Sequence, residues 1–236
     1  MIRLIDCLIT VGEILEAEYK KRGAKRTAVV GNWKSISEFK MSENKVKSHK
    51  RDFGIPHKKV VISFYGYLHR DRKVLPLIEA VKRCNYVFLL LAGRGVLEDI
   101  IKERVKDLDN VLYIGPYTAE RIPTLANISD VIYYGLDDSN PNAKYSAPNK
   151  LFEALAAGKG VITGNHGEIA KIVREENCGL VVDDITPSNL IRAFDLIRQN
   201  GVLKKYQTNA LAAAQKKYNW ANAERTLLSI YENLIQ

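Results

Sequence analysis

The sequence predicts an α/β fold, a Rossmann-like parallel sheet with helices on both faces. Three observations lead there. Apolar runs of strand length recur along the chain, helical patterns separate them, and the runs are apolar throughout rather than alternating. Strands apolar on both sides belong in a parallel sheet covered on both faces. Right-handed crossovers wind such units into a doubly wound sheet.

Each element has its own signal. Residues 11–22 carry apolar positions at helical spacing up to Gly23, a helix-end residue. Thr27-Ala28-Val29-Val30-Gly31 reads as a short strand. Residues 32–57 turn polar and lysine-rich, with a helix expected near 42–53 and Pro56 as its stop; the stretch reads as a linker or boundary. A regular alternation follows. Strands are expected at 60–65, 86–91, 111–114, 131–134, 161–163 and 180–182, with helices near 73–83, 95–106, 118–128, 148–158, 167–176 and 188–199. The tail, 202–235, holds two helical stretches with no strand between them, broken near Tyr218-Asn219-Trp220.

Bulk properties narrow the function. The 236 residues are 46% hydrophobic and 27% charged, ordinary for a soluble globular protein. No run of about 18 apolar residues occurs, and the opening apolar stretch is too short for a secretory segment. A cytoplasmic location is expected. Cys7, Cys84 and Cys178 are odd in number and far apart, against a disulfide framework or a zinc site. The four histidines show no metal-ligand spacing, so no metal is expected. Of the net charge of +9, residues 1–60 contribute 14 Lys and Arg against 7 Asp and Glu. The rest is nearly balanced, at 22 against 20. A nucleic-acid reader carries its basic stripe on the folded module, so no nucleic-acid partner is expected. The basic head, with Lys20-Lys21-Arg22 and the cations between Lys45 and Arg51, suits a solvated surface or a peripheral contact with anionic lipid at the inner membrane face.

Glycine marks where chemistry should sit. Gly66, Gly93, Gly115 and Gly135 end four expected strands, and Gly164 follows a fifth. Ligands of open α/β sheets bind outside the carboxyl ends of the strands, where a missing Cβ lets backbone approach the ligand. Gly93-Arg94-Gly95-Val96-Leu97-Glu98 lacks the third glycine of a dinucleotide fingerprint, and no phosphate-loop motif occurs. A polar loop runs from Ser139 into a helix at Pro148, a good first helical residue. That helix start, with Lys150, forms a candidate cradle for a diphosphate. Glu153, one turn in, is flanked by Leu151, Phe152, Ala154, Leu155, Ala156 and Ala157. Such a carboxylate either accepts hydrogen bonds from vicinal ribose hydroxyls or lies in solvent near the positive helix end. In Gly66-Tyr67-Leu68-His69-Arg70-Asp71-Arg72-Lys73, three cations stand before the next helix, as phosphate ligands or as a solvated basic turn.

Ser146-Ala147-Pro148-Asn149-Lys150-Leu151-Phe152-Glu153-Ala154-Leu155-Ala156-Ala157-Gly158-Lys159-Gly160-Val161-Ile162 is similar to a motif, S-P-N-K-L-F-E-Y-M-A-A-G-K-P-V-I, of the GT-B-fold retaining glycosyltransferases of family 4 (group 1). Gly167-Glu168-Ile169, Asn177-Cys178-Gly179-Leu180-Val181-Val182 and the stretch from Trp220 to Tyr231 add to the resemblance. Residues 58–236 thus resemble the C-terminal, donor-binding domain of that family. The resemblance implies that Glu153 holds the donor ribose and that Arg72 takes the place of a lysine on the diphosphate. It lays Ser146, Ala147, Pro148 and Asn149 against donor sugar and phosphates, Gly66 at a strand-end G-R-L motif, and the residues from Gly115 to Tyr117 beside the nucleobase. Two departures stand out: the first glutamate of E-x7-E falls at Tyr145, and the arginine of G-R-L at Tyr67. The set expected to bind the donor is Gly66, Tyr67, Arg72, Gly93, Gly115, Tyr117, Tyr145, Ser146, Ala147, Pro148, Asn149, Lys150 and Glu153; no catalytic residue is singled out.

The implied division has three parts. Residues 1–57 are a remnant of the N-terminal acceptor domain plus a linker, 58–201 the nucleotide-sugar-binding domain, and 202–236 the helices packing back toward the N-terminal segment. The implied activity is transfer of a sugar from a nucleotide-diphosphate sugar, bound as substrate with no cofactor, and little turnover is expected from the chain alone. The alternative is a non-catalytic nucleotide-sugar-binding subunit that needs a separate acceptor-domain partner.

Overall fold

The computed structural model describes residues 4–235; Met1, Ile2, Arg3 and Gln236, at the outer ends of the first and last expected parts, lie outside the described residues. A small sheet comes first. Strand β1 (Leu8–Thr10) pairs in parallel with β2 (Thr27–Val29), and helix α1 (Glu13–Lys21) connects them. Helices α2 (Ile36–Phe39) and α3 (Glu43–Asp52) lead to the main sheet.

The main sheet has six parallel strands: β3 (Val60–Tyr65), β4 (Val87–Ala92), β5 (Val111–Tyr113), β6 (Val131–Tyr134), β7 (Gly160–Gly164) and β8 (Gly179–Val182). Their spatial order is β5-β4-β3-β6-β7-β8, so the chain reverses its direction of winding between β3 and β6. That is the switch point of a doubly wound sheet, where a crevice opens at the carboxyl edge.

Alternate strand residues feed two cores, as the two-residue strand period requires. Ile62, Phe64, Leu89, Leu91, Tyr133 and Ile162 face the buried sides of α4 (Val74–Lys82), α5 (Glu98–Val105) and α9 (Pro187–Arg198). Val61, Tyr65, Leu90, Ile132, Tyr134 and Val161 face α6 (Ile122–Ile128), α7 (Asn149–Ala156) and α8 (Gly167–Glu175). On that second face α7 is buried from Leu151 to Ala156, and α10 (Val202–Lys216) covers it, with small Ala210, Ala213 and Ala214 buried in the same core.

The stretch 32–57, expected as a linker, contributes to this core. Phe39 and Ile55 are buried in it, α3 packs on α6, and α2 packs on α6 and α7. Lysines obscure these few apolar anchors in the sequence. The last helix, α11 (Trp220–Ile235), follows the Tyr218 break and contacts β2. The backbone N–H of Trp220 donates to the Lys34 carbonyl at 3.1 Å, in a bridge that pairs Lys34 with Asn219. The first turn of α1 is tied to α8 as well: Glu13 and Ile14 donate their N–H groups to the buried Glu168 carboxylate at 3.0 and 2.8 Å. Among the described residues no helix is long and apolar enough to cross a membrane.

Candidate functional site

Two hollows of about 400 Å³ each lie at the carboxyl edge of the main sheet and share Tyr67 and Tyr117, so they read as one cleft. The outer one is lined by Gly66, Tyr67, Gly93, Arg94, Pro116 and Tyr117. The inner one holds Arg72, Ser146, Pro148, Asn149, Lys150 and Glu153, with the rings of Tyr65 and Tyr134. The cleft straddles β3 and β6, where the sheet topology reverses.

The floor depends on two glycines. At Gly66 φ is +148°, and a Cβ there would lie 2.5 Å from the Lys150 amine. At Gly93 φ is +139°, and a Cβ would lie 1.8 Å from the Gly66 carbonyl oxygen. Side chains at either position would strain the backbone and fill the floor.

Helix α7 brings Asn149, Lys150 and Glu153 to the cleft. Pro148, expected as the first helical residue, is instead the residue before it, with extended φ −73° and ψ 144°. The ring still fixes the entry of the chain, but the N–H groups at the helix start belong to Asn149 and its successors. Glu153 is 4% exposed, which decides between its two sequence readings in favour of a buried carboxylate aimed into the cleft. Burial raises its pKa above the ordinary carboxylate value, while Lys34, Lys150 and Tyr65, in that order, act to lower it. The Lys34 amine stands 4.0 Å from Glu153 Oε1 and donates to Asn149 Oδ1 at 2.8 Å. The Tyr65 hydroxyl is pushed far up by burial and then by the Glu153 charge, yet it makes no hydrogen bond of normal geometry. It therefore meets the carboxylate through electrostatics.

The cations converge on the same space. The Lys150 amine sits 5.1 Å from the centre of the Phe64 ring, 5.7 Å from Tyr134 and 5.8 Å from Tyr65. Removal from water pushes it down to about 8; the Glu153 carboxylate pulls it back up, and Arg72 adds to the downward push. Arg72, at the end of a short 3-10 turn, donates from Nη1 to the Tyr134 hydroxyl at 2.8 Å, and that hydroxyl lies 3.3 Å from Ser146 Oγ. Tyr117 meets Tyr65 edge to face at 6.0 Å, and burial, then Glu153, pushes its hydroxyl up to about 12. Two positive groups and one buried carboxylate around ring faces suit a ligand with anionic charge at one end and hydroxyls at the other.

Ten of the expected residues line the cleft: Gly66, Tyr67, Arg72, Gly93, Tyr117, Ser146, Pro148, Asn149, Lys150 and Glu153. Three do not line it. Ala147 is buried in the core, and the Gly115 carbonyl accepts from the Gly93 N–H at 2.7 Å. Tyr145 is half-buried beside Lys144, whose amine is 5.3 Å from its ring centre. Tyr67 is 55% exposed and stacks on His69, so it offers a ring rather than a cation at the cleft mouth. Sequence reasoning missed Lys34, Tyr65, Arg94, Ile122 and Tyr134 as site residues; Pro116 lies inside the stretch Gly115 to Tyr117 that the resemblance set beside the nucleobase. Strand ends carry Tyr65 and Tyr134, whose apolar context masked them; Lys34 arrives by a pairing with Asn219 that no local pattern announces. Among the described residues no three His, Cys, Asp or Glu side chains are grouped to hold a metal ion.

Comparisons with known proteins agree with this architecture. An Anabaena protein, HepE, solved in complex with UDP, superposes with a TM-score of 0.84 at 19% identity over 98% of this chain and 65% of its own, a likeness of fold. The Bacillus subtilis protein YtcC, which carries the provisional name of glycosyltransferase, is 25% identical over 204 residues, 80% of this chain and 49% of its own length. The phosphatidyl-myo-inositol mannosyltransferase of Mycobacterium leprae is 23% identical over 194 residues, 77% of this chain and 48% of that protein. The chain spans about half the length of these curated relatives. The family model described as glycosyl transferases group 1 matches residues 45–217, reaching from within α3 through α10 and so enclosing every residue that lines the cleft; Lys34, which approaches Glu153, lies before it. By that match over most of its length, the chain belongs to the group 1 glycosyl transferases.

Proposed function

We propose that the cleft binds a nucleotide-diphosphate sugar, the donor in transfer of a hexose with retention of anomeric configuration. The observation that carries this reading is the convergence of buried Glu153 with Arg72 and Lys150 in one hollow at the switch point. Glu153 accepts from the two ribose hydroxyls, Arg72, Lys150 and the first N–H groups of α7 take the diphosphate, and the base lies toward Tyr67, Pro116 and Tyr117. The UDP in the Anabaena structure is in keeping with such a ligand. Transfer also needs an acceptor held in a dry, oriented cleft, and this falls to a further acceptor domain, in the same polypeptide or a separate one. The cations of α3 suit contact with an acidic inner membrane face, where a lipid-linked or polysaccharide acceptor would be met.

Calorimetric titration with UDP, GDP, ADP and their hexose conjugates tests the reading. The chain is expected to bind one of these series. Glu153→Ala and Arg72→Ala should each weaken binding by about 10- to 100-fold, the worth of hydrogen bonds to charged groups. Binding unchanged in both variants, or none to any nucleotide, would defeat it. Turnover with a simple acceptor should be near background without an acceptor domain, and robust turnover by this chain alone would defeat that part.

A further inference from the structure

We propose that Lys34 is a positioning residue for Glu153, holding that carboxylate ionised and turned toward the ligand from a segment outside the main sheet. The inference rests on nucleotide binding in the cleft as read above. Lys34 lies between β2 and α2, before the matched family segment begins. Its amine reaches Asn149 Oδ1 at 2.8 Å and Glu153 Oε1 at 4.0 Å, two residues one turn apart on α7.

The backbone of Lys34 is held firmly enough to aim that amine. Its carbonyl accepts from Trp220 N–H at 3.1 Å, and it pairs with Asn219. Next to it, the Trp33 ring meets Tyr218 edge to face at 5.8 Å, and Tyr218 packs at 5.9 Å on Phe152, the neighbour of Glu153. The segment at 33–34, the break at 218–220 and α7 therefore form one packed unit. Because Lys34 is shared between Asn149 and Glu153, it can orient the carboxylate without saturating it, leaving oxygen lone pairs for ligand hydroxyls.

The charges facing Glu153 come from every side. Lys34 approaches from the crossover, Lys150 from α7 itself, the Tyr65 hydroxyl from β3 and the Tyr117 hydroxyl from the loop after β5; Arg72 lies beyond Lys150. Burial favours the protonated acid, and the Lys34 charge is the largest opposing influence. Without Lys34 the acid should hold its proton to higher pH, and a neutral acid accepts hydrogen bonds less strongly.

The test uses the whole chain with Lys34→Met and Lys34→Arg. The Glu153 carboxyl is titrated by carbon NMR without ligand, and UDP affinity is measured by calorimetry from about pH 5 to about pH 8. In Lys34→Met the Glu153 midpoint should rise, and UDP affinity near neutrality should fall by about 10-fold and recover as pH rises. Lys34→Arg should restore both. A Glu153 midpoint unmoved in Lys34→Met, even with a lowered melting temperature, overturns the inference and leaves nucleotide binding standing. Absence of any nucleotide binding overturns the binding reading itself.

Discussion

Single atoms decide how this cleft is floored. A Cβ at Gly93 meets backbone, the Gly66 carbonyl, whereas a Cβ at Gly66 meets the movable end of Lys150. Gly93→Ala should therefore cost about 3 kcal/mol or more, read as a fall in the urea midpoint. Gly66→Ala should lose less stability but, on the proposed reading, more nucleotide affinity, because the displaced Lys150 amine leaves the proposed diphosphate site; an equal effect of both changes on both measurements would contradict this. At the same scale lie the limits of reading the sequence. Glu153 was legible as a candidate because a carboxylate among Leu151, Phe152, Ala154 and Leu155 is hard to place anywhere neutral. Its burial was not legible, since the apolar face around it could have been turned either way. Lys34 was invisible, because what brings it to Glu153 is a contact between residues 34 and 219, and spacing carries no information over that distance.

Elements were easier to read than their partners. The strand at 60–65 and the strand at 131–134 lie where the apolar runs place them, since a fully buried parallel strand has few sequences open to it. Helix α2 was missed: one buried residue, Phe39, anchors four residues among serines and charges. The tie between α1 and α8 was beyond any local pattern too. There, Glu168 caps the start of α1 from another part of the chain, taking the place of the capping side chain that Gly12 lacks. Glu168→Ala should free the Glu13 and Ile14 N–H groups, and their amide exchange should quicken by about 10-fold or more while β3 and β4 amides keep their protection. Unchanged exchange at those two amides would mean that other contacts, such as the ion pairs of Glu13 with Lys171 and Lys217, hold the helix alone.

Across the molecule, buried amines shape the response to pH. Removal from water holds Lys159 at about 8, as it does Lys150, against an ordinary value of 10.5. The unfolded chain therefore binds more protons than the fold above about 8, and stability should rise with pH there. The burden of keeping a charged amine from water is present at lower pH and lifts as pH climbs through 8. Cys178, held up at about 12 from 9.0, works the other way above pH 9, so the rise should show between about pH 7 and about pH 9 in urea melts. Lys159→Met should flatten it, and an unchanged slope in that variant would count against this account. The order of the sheet carries one more consequence, in time rather than in space. Strands β3 to β5 and strands β6 to β8 are each contiguous in the chain, and among the described residues the strand pairing that joins the two halves of the sheet is that of Ile62 and Ser63 with Val131 and Ile132. Pairings that distant close late, because chain entropy must be lost before contacts repay it. Pulse-labelled exchange should find the β3–β4 amides protected before those of Val131 and Ile132. The cleft, lined from both halves, is then the last feature this polypeptide completes as it folds and the first it loses when that seam opens.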